Sequence, residues 1–291
     1  MYKIQHLTLI GVGLIGGSFV LDLKRLGLVK HVHGIDLNWE NLDRALERKV
    51  IDSSSCQIDS EKIAQSDLIV IATPVATLPT ICQQLADFVA PNAIISDVGS
   101  TKQSTLAAFK QFLPQHLARC VAAHPIAGSD RHGALAARFG LYQDKKLIIC
   151  PHSEQDLNAV QTIEALWQAV GAQTYQMNAA EHDQIFAAVS HLPHLLAFAY
   201  VHQILEHPEG NTFLNFAASG FRDFTRIASS HPAIWTDICL ANRDSLLNFI
   251  QGQREQLNRI EDLLRQQNSS DLYQYFAEAK QRRDDWLENQ E

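Results

Sequence analysis

Residues 7–18 read LTLIGVGLIGGS. An apolar run ends at Ile10, and a second apolar, helix-compatible run opens at Leu14. Between and just beyond these points Gly11, Gly13 and Gly16 form a G-x-G-x-x-G. Glycine at the first position permits a tight turn, and at the second it leaves the backbone open to a ligand. At the third it lets helix and strand pack closely. The first turn of the helix then presents unpaired amide donors to whatever sits at the loop, which favours an anion. The stretch reads as strand, tight turn, helix, with a phosphate-binding loop at the junction.

The same rhythm continues outward. HVHGID (31–36), DLIVIATP (67–74), AIISDVGS (93–100), CVAAHP (120–125) and KLIICP (146–151) read as strands, with helix-compatible segments between most of them. A last pair, EQDLNAVQTIEALWQAVG and QTYQM, adds one more helix and strand. Strands that are apolar throughout, alternating with helices, require a parallel sheet covered on both faces. The expected fold is α/β: a Rossmann-type doubly wound, mainly parallel sheet over residues 1–178, followed by an all-α domain over 179–291. The second part begins with AAEHDQIFAAVSHLPHLLAFAYVHQIL (179–205), helix-compatible and interrupted at Pro193. Further on, Leu246, Ile250, Leu257, Ile260 and Leu264 recur at amphipathic-helix spacing. That face is either an internal core or a contact with a second subunit. No Pro/Gly/Ser-rich linker separates the halves, so a broad interface between them is expected.

Bulk properties narrow the partners. A formal charge of −8 over 291 residues argues against nucleic acid and anionic membrane surfaces, both of which favour a basic protein. The five cysteines (Cys56, Cys82, Cys120, Cys150, Cys239) are scattered, odd in number and never in a C-x-x-C, which fits reduced thiols better than disulfides or a zinc cage. No apolar h-region follows a basic start, and no apolar stretch approaches membrane-spanning length. A cytoplasmic protein without a membrane or nucleic-acid partner is expected.

The cofactor end is legible beyond the glycines. Asp36 closes the second strand 20 positions after Gly16 (36 − 16), where a carboxylate accepts hydrogen bonds from an adenosine ribose. No arginine follows it directly in DLNWEN, so NAD is expected rather than NADP. A helix cap is the plainer alternative for Asp36. Ligands of such sheets lie across the carboxyl ends of the strands, which makes Thr73 and Pro74, then Asp97, Ser100, Thr101 and Lys102, then His124, candidates facing one crevice. Thr73–Pro74 can also be a simple strand-to-helix turn, and Ser100 or Thr101 a helix cap. Leu14 and Ile15 join the cofactor set as the opening residues of the first helix.

GVGLIGGS, DVGSTK, HPIAGSD, SHLPH and GFRDFTRIA, in this order, resemble the prephenate/arogenate (cyclohexadienyl) dehydrogenases. The resemblance runs from about residue 7 to about residue 230. It leaves no counterpart for the fused chorismate mutase or the separate regulatory domain of some members. It implies NAD-dependent oxidative decarboxylation of prephenate to 4-hydroxyphenylpyruvate, or of arogenate to tyrosine. By the same resemblance His124 contacts the ring hydroxyl and assists hydride departure, while Ser100 orients it beside the nicotinamide. Neutral imidazole suits that step because its ordinary pKa lies near working pH.

On the substrate side the resemblance assigns Arg226 of T-R-I-A to a substrate carboxylate, His191 to the substrate side chain and Ser190 as a nearby donor. A guanidinium matches a carboxylate with two parallel hydrogen bonds. Arg222 reads instead as a surface partner of an acid such as Asp223. His191 and His194 at i, i+3 invite a metal reading, but no H-E-x-x-H frame exists and Pro193 disturbs the spacing, so no metal is expected. His194 reads as structural, His132 as a loop histidine, and Asp130 as an acid where relatives often carry glutamate. A homodimer through the helical part and feedback by tyrosine are family expectations. The rival readings are a β-hydroxyacid-type dehydrogenase or imino-acid reductase, which leave SHLPH and TRIA unexplained, and a non-catalytic NAD sensor, which needs no base at His124.

Overall fold

The computed structural model describes residues 3–128 and 133–289. The chain runs β1 (Ile4–Ile10), α1 (Leu14–Arg25), β2 (Val29–Ile35), α2 (Trp39–Glu47), β3 (Ser53–Ser55), α3 (Ser60–Gln65), β4 (Leu68–Ile71), α4 (Leu78–Leu85), β5 (Ile94–Asp97), α5 (Gln103–Phe112), β6 (Cys120–Pro125), β7 (Lys146–Cys150), α6 (Leu157–Ala169) and β8 (Gln173–Gln176). The strands form one sheet in the order β3-β2-β1-β4-β5-β6-β7-β8. Every neighbouring pair is parallel except β6 and β7. Strand order reverses between β1 and β4, and this switch point opens a crevice at the carboxyl ends of those strands.

Alternate residues of the central strands feed two apolar cores, one on each face. Leu7, Leu9, Leu68, Val70 and Val121 face a core where Phe19 stacks on Trp167 at 4.0 Å and Tyr142 meets Trp167 edge-on at 4.7 Å. Ile10, Ile69, Ile71, Ile95 and Ala122 face the other, with Phe109 and Leu85. Burial on both sides explains why these strands are apolar throughout. The edge strand β3 has the opposite character. Its sequence is Ser-Ser-Ser, which carries no strand pattern, and it is held from the side by His33, whose Nδ1 and Nε2 lie 2.9 and 3.1 Å from the hydroxyls of Ser53 and Ser55.

After β8 the chain is helical: α7 (Ala179–Phe186), a π turn over Ala187–His191, α8 (Leu192–Glu206), α9 (Gly210–Asn215), α10 (Ser219–Thr225), α11 (Pro232–Ala241), α12 (Arg243–Arg265) and α13 (Ser269–Glu288). Pro193 lies in the first turn of α8, where a missing N–H is tolerated. Helix therefore runs on from Ala179 to Glu206, 28 residues long and apolar enough to cross a membrane by length and composition alone. The sequence reading missed this stretch because His182, Asp183, His191 and His194 interrupt the apolar run. Those polar groups find hydrogen-bond partners within the protein.

By packing, the chain forms two compact units, residues 1–243 and 244–291. The first holds the sheet and the helices through α11. The second holds nearly all of α12 together with α13, where the Tyr275 hydroxyl lies 3.2 Å from Gln256 and the Arg259 guanidinium sits 5.2 Å from the centre of the Tyr275 ring.

Candidate active site

The glycine loop has the form its sequence implies. Gly11 adopts φ +90°, and a Cβ there would fall 2.6 Å from the Ala72 carbonyl oxygen, so the turn accepts glycine alone. Gly16 is pressed onto Leu9 and Ala72. Gly13 differs, because a Cβ at this position would have nothing within 4 Å. It borders a cleft of about 910 Å³ lined by Gly11, Asp36, Asn41, Arg44, Thr73 and Pro74. The Leu14 side chain is buried in the core and the Ile15 carbonyl accepts from the Tyr142 hydroxyl at 2.5 Å. What these two residues turn toward the loop is their first-turn N–H groups, which lack intrahelical acceptors.

Asp36 follows β2 at the rim of the cleft. Its Oδ2 accepts from the Val12 N–H at 3.0 Å and from the Asn41 amide at 3.1 Å, and its Oδ1 accepts from the Asn38 N–H at 3.0 Å. Of the roughly four acceptor positions on a carboxylate, one is left for a ligand hydroxyl. Asn41 was not expected from sequence. Its amide also donates to the Val12 carbonyl at 2.8 Å and its oxygen accepts from the Ala134 N–H at 2.7 Å, tying the loop to α2 and the segment near residue 134. Arg44, one turn further along α2, lines the same cleft and pairs with Glu40 at 3.5 Å.

At the next strand ends a buried ionic knot joins β5 to β6. The Lys102 ammonium, fully buried, donates to Asp97 Oδ2 at 2.5 Å and to the Ala123 carbonyl at 2.7 Å. Asp97 also accepts from the Gly99 and Ala123 N–H groups and the Thr105 hydroxyl, at 2.9, 3.0 and 3.0 Å. The knot fixes β6 one residue before His124. Ser100 lies in the half-buried turn after β5.

His124 stands near the carboxyl end of β6. Among the described residues its side-chain hydrogen bond runs to His182 and not to Ser100: His124 Nδ1 lies 2.8 Å from His182 Nε2. His182 Nδ1 in turn lies 2.7 Å from Asp183 Oδ1. The two carboxylate oxygens of Asp183 accept from the backbone N–H groups of Lys102 and Gln103 at 2.7 and 2.9 Å. Phe186 packs against both imidazoles, at ring-centre distances of 4.8 and 4.5 Å. Burial, then the charge of Lys102 and the neighbouring His182 and His191, hold His124 well below the ordinary histidine value. His182 is also lowered, chiefly by burial, against the pull of Asp183. Burial alone would raise the Asp183 carboxyl, but the His182 hydrogen bond and the two amides outweigh it and hold it below its ordinary value.

The helical segment brings the second set of residues. His191 ends the π turn, buried, with its Nδ1 3.1 Å from the amide nitrogen of Asn242, and burial pushes its pKa down to about 4. That amide nitrogen also donates to the Asp183 carbonyl at 2.7 Å. His194 goes elsewhere: it stacks on Trp235 at 3.6 Å and its Nδ1 donates to the Ser190 carbonyl at 2.8 Å, so the two histidines of SHLPH do not converge on one point. Burial lowers His194 against the Ser190 carbonyl bond, which raises it, and the charge of Arg226 adds to the lowering. Arg226 is exposed and, among the described residues, forms no ion pair; Arg222 faces Asp223 at 3.8 Å on the surface. Ser190 is half-buried. Asp130 and His132 lie outside the described residues. The helix α11 packs beside residues 75–77, which follow Thr73–Pro74.

A glycine-turned cleft at the switch point of a doubly wound sheet, with a half-buried imidazole held neutral two strands away, defines a Rossmann-type nucleotide-binding oxidoreductase. The chain belongs to the prephenate dehydrogenase family. The family's nucleotide-binding domain matches residues 19–176, and its dimerization domain matches residues 178–278. A prephenate dehydrogenase of Bacillus subtilis (strain 168) is 36% identical over 96% of this chain and 75% of its own. A cyclohexadienyl dehydrogenase of Zymomonas mobilis is 29% identical over 97% of this chain and 96% of its own. The crystal structure of prephenate dehydrogenase from A. aeolicus in complex with hydroxyphenyl propionate and NAD+ is 32% identical, with a TM-score of 0.90 over 97% of this chain and 98% of that one.

Proposed function

We propose that the chain catalyses NAD-dependent oxidative decarboxylation of prephenate to 4-hydroxyphenylpyruvate. The observation that carries this reading is His124, a half-buried imidazole held neutral on the strand end beside the nucleotide cleft, in a family whose members act on this ring. Arogenate is the second reading, favoured by the likeness to a cyclohexadienyl dehydrogenase.

The cleft fits NAD. Gly13 leaves room where a pyrophosphate approaches, the N–H groups of Leu14 and Ile15 open toward it, and Asp36 keeps one acceptor position for a ribose hydroxyl. Thr73, Pro74 and Ser100 continue the path toward the nicotinamide. Arg44 on the same cleft leaves NADP as the lesser alternative. The bound nicotinamide supplies a hydride acceptor. His124 takes the proton of the ring hydroxyl as hydride leaves the same carbon, and carbon dioxide loss then makes the ring aromatic. A positioned base of this kind is worth roughly 10²–10⁴-fold in rate. Protonated His124 would favour loss of the hydroxyl as water instead. Arg226 takes a substrate carboxylate, while His191 and Ser190 face the substrate side chain.

In this reading residues 1–178 bind the nucleotide, and 179–291 supply substrate contacts and a homodimer interface. The exposed Leu257 and Leu264 of α12 are apolar surface available for that interface. Tyrosine, which shares the product's ring, acts as a feedback ligand, and the location is the cytoplasm. Initial rates of NAD and NADP reduction, each with prephenate and with arogenate, test the reading. Turnover with NAD and prephenate is expected, and no turnover in any of the four combinations would overturn it.

A further inference from the structure

Two hydrogen-bonded paths leave Asp183, one from its side chain and one from its backbone, and each ends on a histidine of the candidate site. Their polarity can be worked out atom by atom. The Asp183 carboxylate is ionised and already accepts from two backbone N–H groups, so it has no proton to give. At 2.7 Å, His182 Nδ1 must therefore carry the hydrogen. A neutral imidazole has one N–H and one bare nitrogen, so His182 Nε2 is an acceptor. His124 Nδ1, 2.8 Å away, must then be the donor. This leaves His124 Nε2 bare.

The second path has the opposite outcome. The Asp183 carbonyl can only accept, so the Asn242 atom 2.7 Å from it is the amide nitrogen and not the oxygen. The same nitrogen lies 3.1 Å from His191 Nδ1 and turns its second hydrogen there. His191 Nδ1 is an acceptor, and the proton of this neutral ring resides on Nε2. Both bridging residues are buried, His182 at 0% and Asn242 at 4% exposure, so water does not compete for these bonds.

We infer that Asp183 sets the two active-site histidines in opposite tautomers, through His182 and Asn242 as positioning residues: His124 offers a bare Nε2 that accepts the hydroxyl proton, and His191 offers an Nε2–H to a side-chain oxygen of the substrate. The inference rests on the proposed reaction for the meaning of the two roles, but not for the tautomers themselves. Phe186 holds the His124 and His182 rings in place. The charged or titratable groups acting on His124 are Lys102, His182 and His191, and none of them is a free acid able to invert the relay. The design resembles other catalytic histidines whose tautomer is set by a hydrogen-bonded carboxylate, with one more imidazole interposed.

The test is nitrogen-15 NMR of histidine-labelled protein without substrate at pH 7.5, with signals assigned by their loss in His124→Gln and His191→Gln. The expected spectrum has protonated Nδ1 and bare Nε2 for His124, and the reverse for His191. A protonated Nε2 on His124, or a protonated Nδ1 on His191, overturns the inference whether or not the protein turns over prephenate. Asp183→Leu removes the acceptor that holds the hydrogen on His182 Nδ1, so the His182 and His124 tautomers are no longer fixed. It is expected to shift hydrogen from Nδ1 to Nε2 of His124 and to lower kcat by up to roughly 10²–10⁴-fold, the worth of a positioned base, with little change in KM. Asn242→Leu is expected to raise KM for prephenate about tenfold, on the scale of one lost hydrogen bond, and to leave the pH profile of kcat in place. If Asp183→Leu keeps the wild-type kcat and His124 spectrum while circular dichroism shows it folded, His182 and Asp183 are only structural. Absence of wild-type turnover with an intact tautomer pattern would count against the reaction and not against the relay.

Discussion

Replacing Lys102 with methionine removes the cation of the β5–β6 knot while nearly conserving length. The Lys102 side chain is fully buried and Asp97 is only 3% exposed, so neither charge is shared with solvent. Breaking such a pair by deleting one partner costs about 3–5 kcal/mol, because the remaining charge stays buried without its counter-ion. The Ala123 carbonyl loses its 2.7 Å ammonium donor in the same step. Urea denaturation followed by circular dichroism should show a loss of this size. Adding Asp97→Asn to the variant should recover part of it, with a coupling of about 1–3 kcal/mol, because the orphaned charge is gone. A second readout concerns His124. The charge of Lys102 stands second only to burial in holding that imidazole below its ordinary value. In the variant His124 protonates more easily, and the acid limb of kcat moves to higher pH. A stability loss below about 1 kcal/mol together with an unmoved acid limb would refute this account of the knot.

Other substitutions test separate parts of the site. Gly11→Ala forces a Cβ to 2.6 Å from the Ala72 oxygen at φ +90°. The expected strain is about 1–3 kcal/mol, with NADH binding weakened at least tenfold in a fluorescence titration; unchanged binding would remove the loop from the cofactor site. Arg226→Ala should raise KM for prephenate by about tenfold or more, the worth of a hydrogen bond to a charged group, and an unchanged KM would remove Arg226 from the substrate contacts. Stability should fall with acid. His191 has a folded pKa of about 4 against an ordinary 6.5, so between those values the unfolded chain binds more protons than the folded one. Its contribution is intact above pH 6.5 and declines to about pH 4, by on the order of 3 kcal/mol. His124 and His182, both lowered, act in the same direction. Urea midpoints that do not fall between pH 6.5 and 4.5 would contradict this.

What the sequence revealed followed physical distinctness. The glycine loop, Asp36 and the doubly buried strands carry short, local signals, and the seven strands read from them are all present. β3 escaped because three serines have no hydrophobic pattern and owe their strand to lateral bonds from His33. SHLPH and TRIA drew the eye as motifs, while the adjacent His182–Asp183 pair passed as ordinary helix. Its meaning depends on His124, 58 positions away in sequence, and on backbone N–H groups 80 and 81 away. Asn242 is more remote still, since nothing in CLANRD marks an amide that bridges two helical segments. Lys102 was visible as a polar residue at a strand end, but only the fold shows its ammonium turned inward to Asp97 and Ala123.

The most direct single measurement is kcat of the wild-type protein with saturating NAD and prephenate, from pH 8 down to the pH at which circular dichroism shows the fold failing. The account predicts a plateau through neutrality and a fall by one proton on the acid side, with a midpoint below the ordinary histidine value, as His124 takes up the proton that disables it. A flat profile down to the loss of the fold would contradict His124 as the base and, with it, the chemistry proposed for this site.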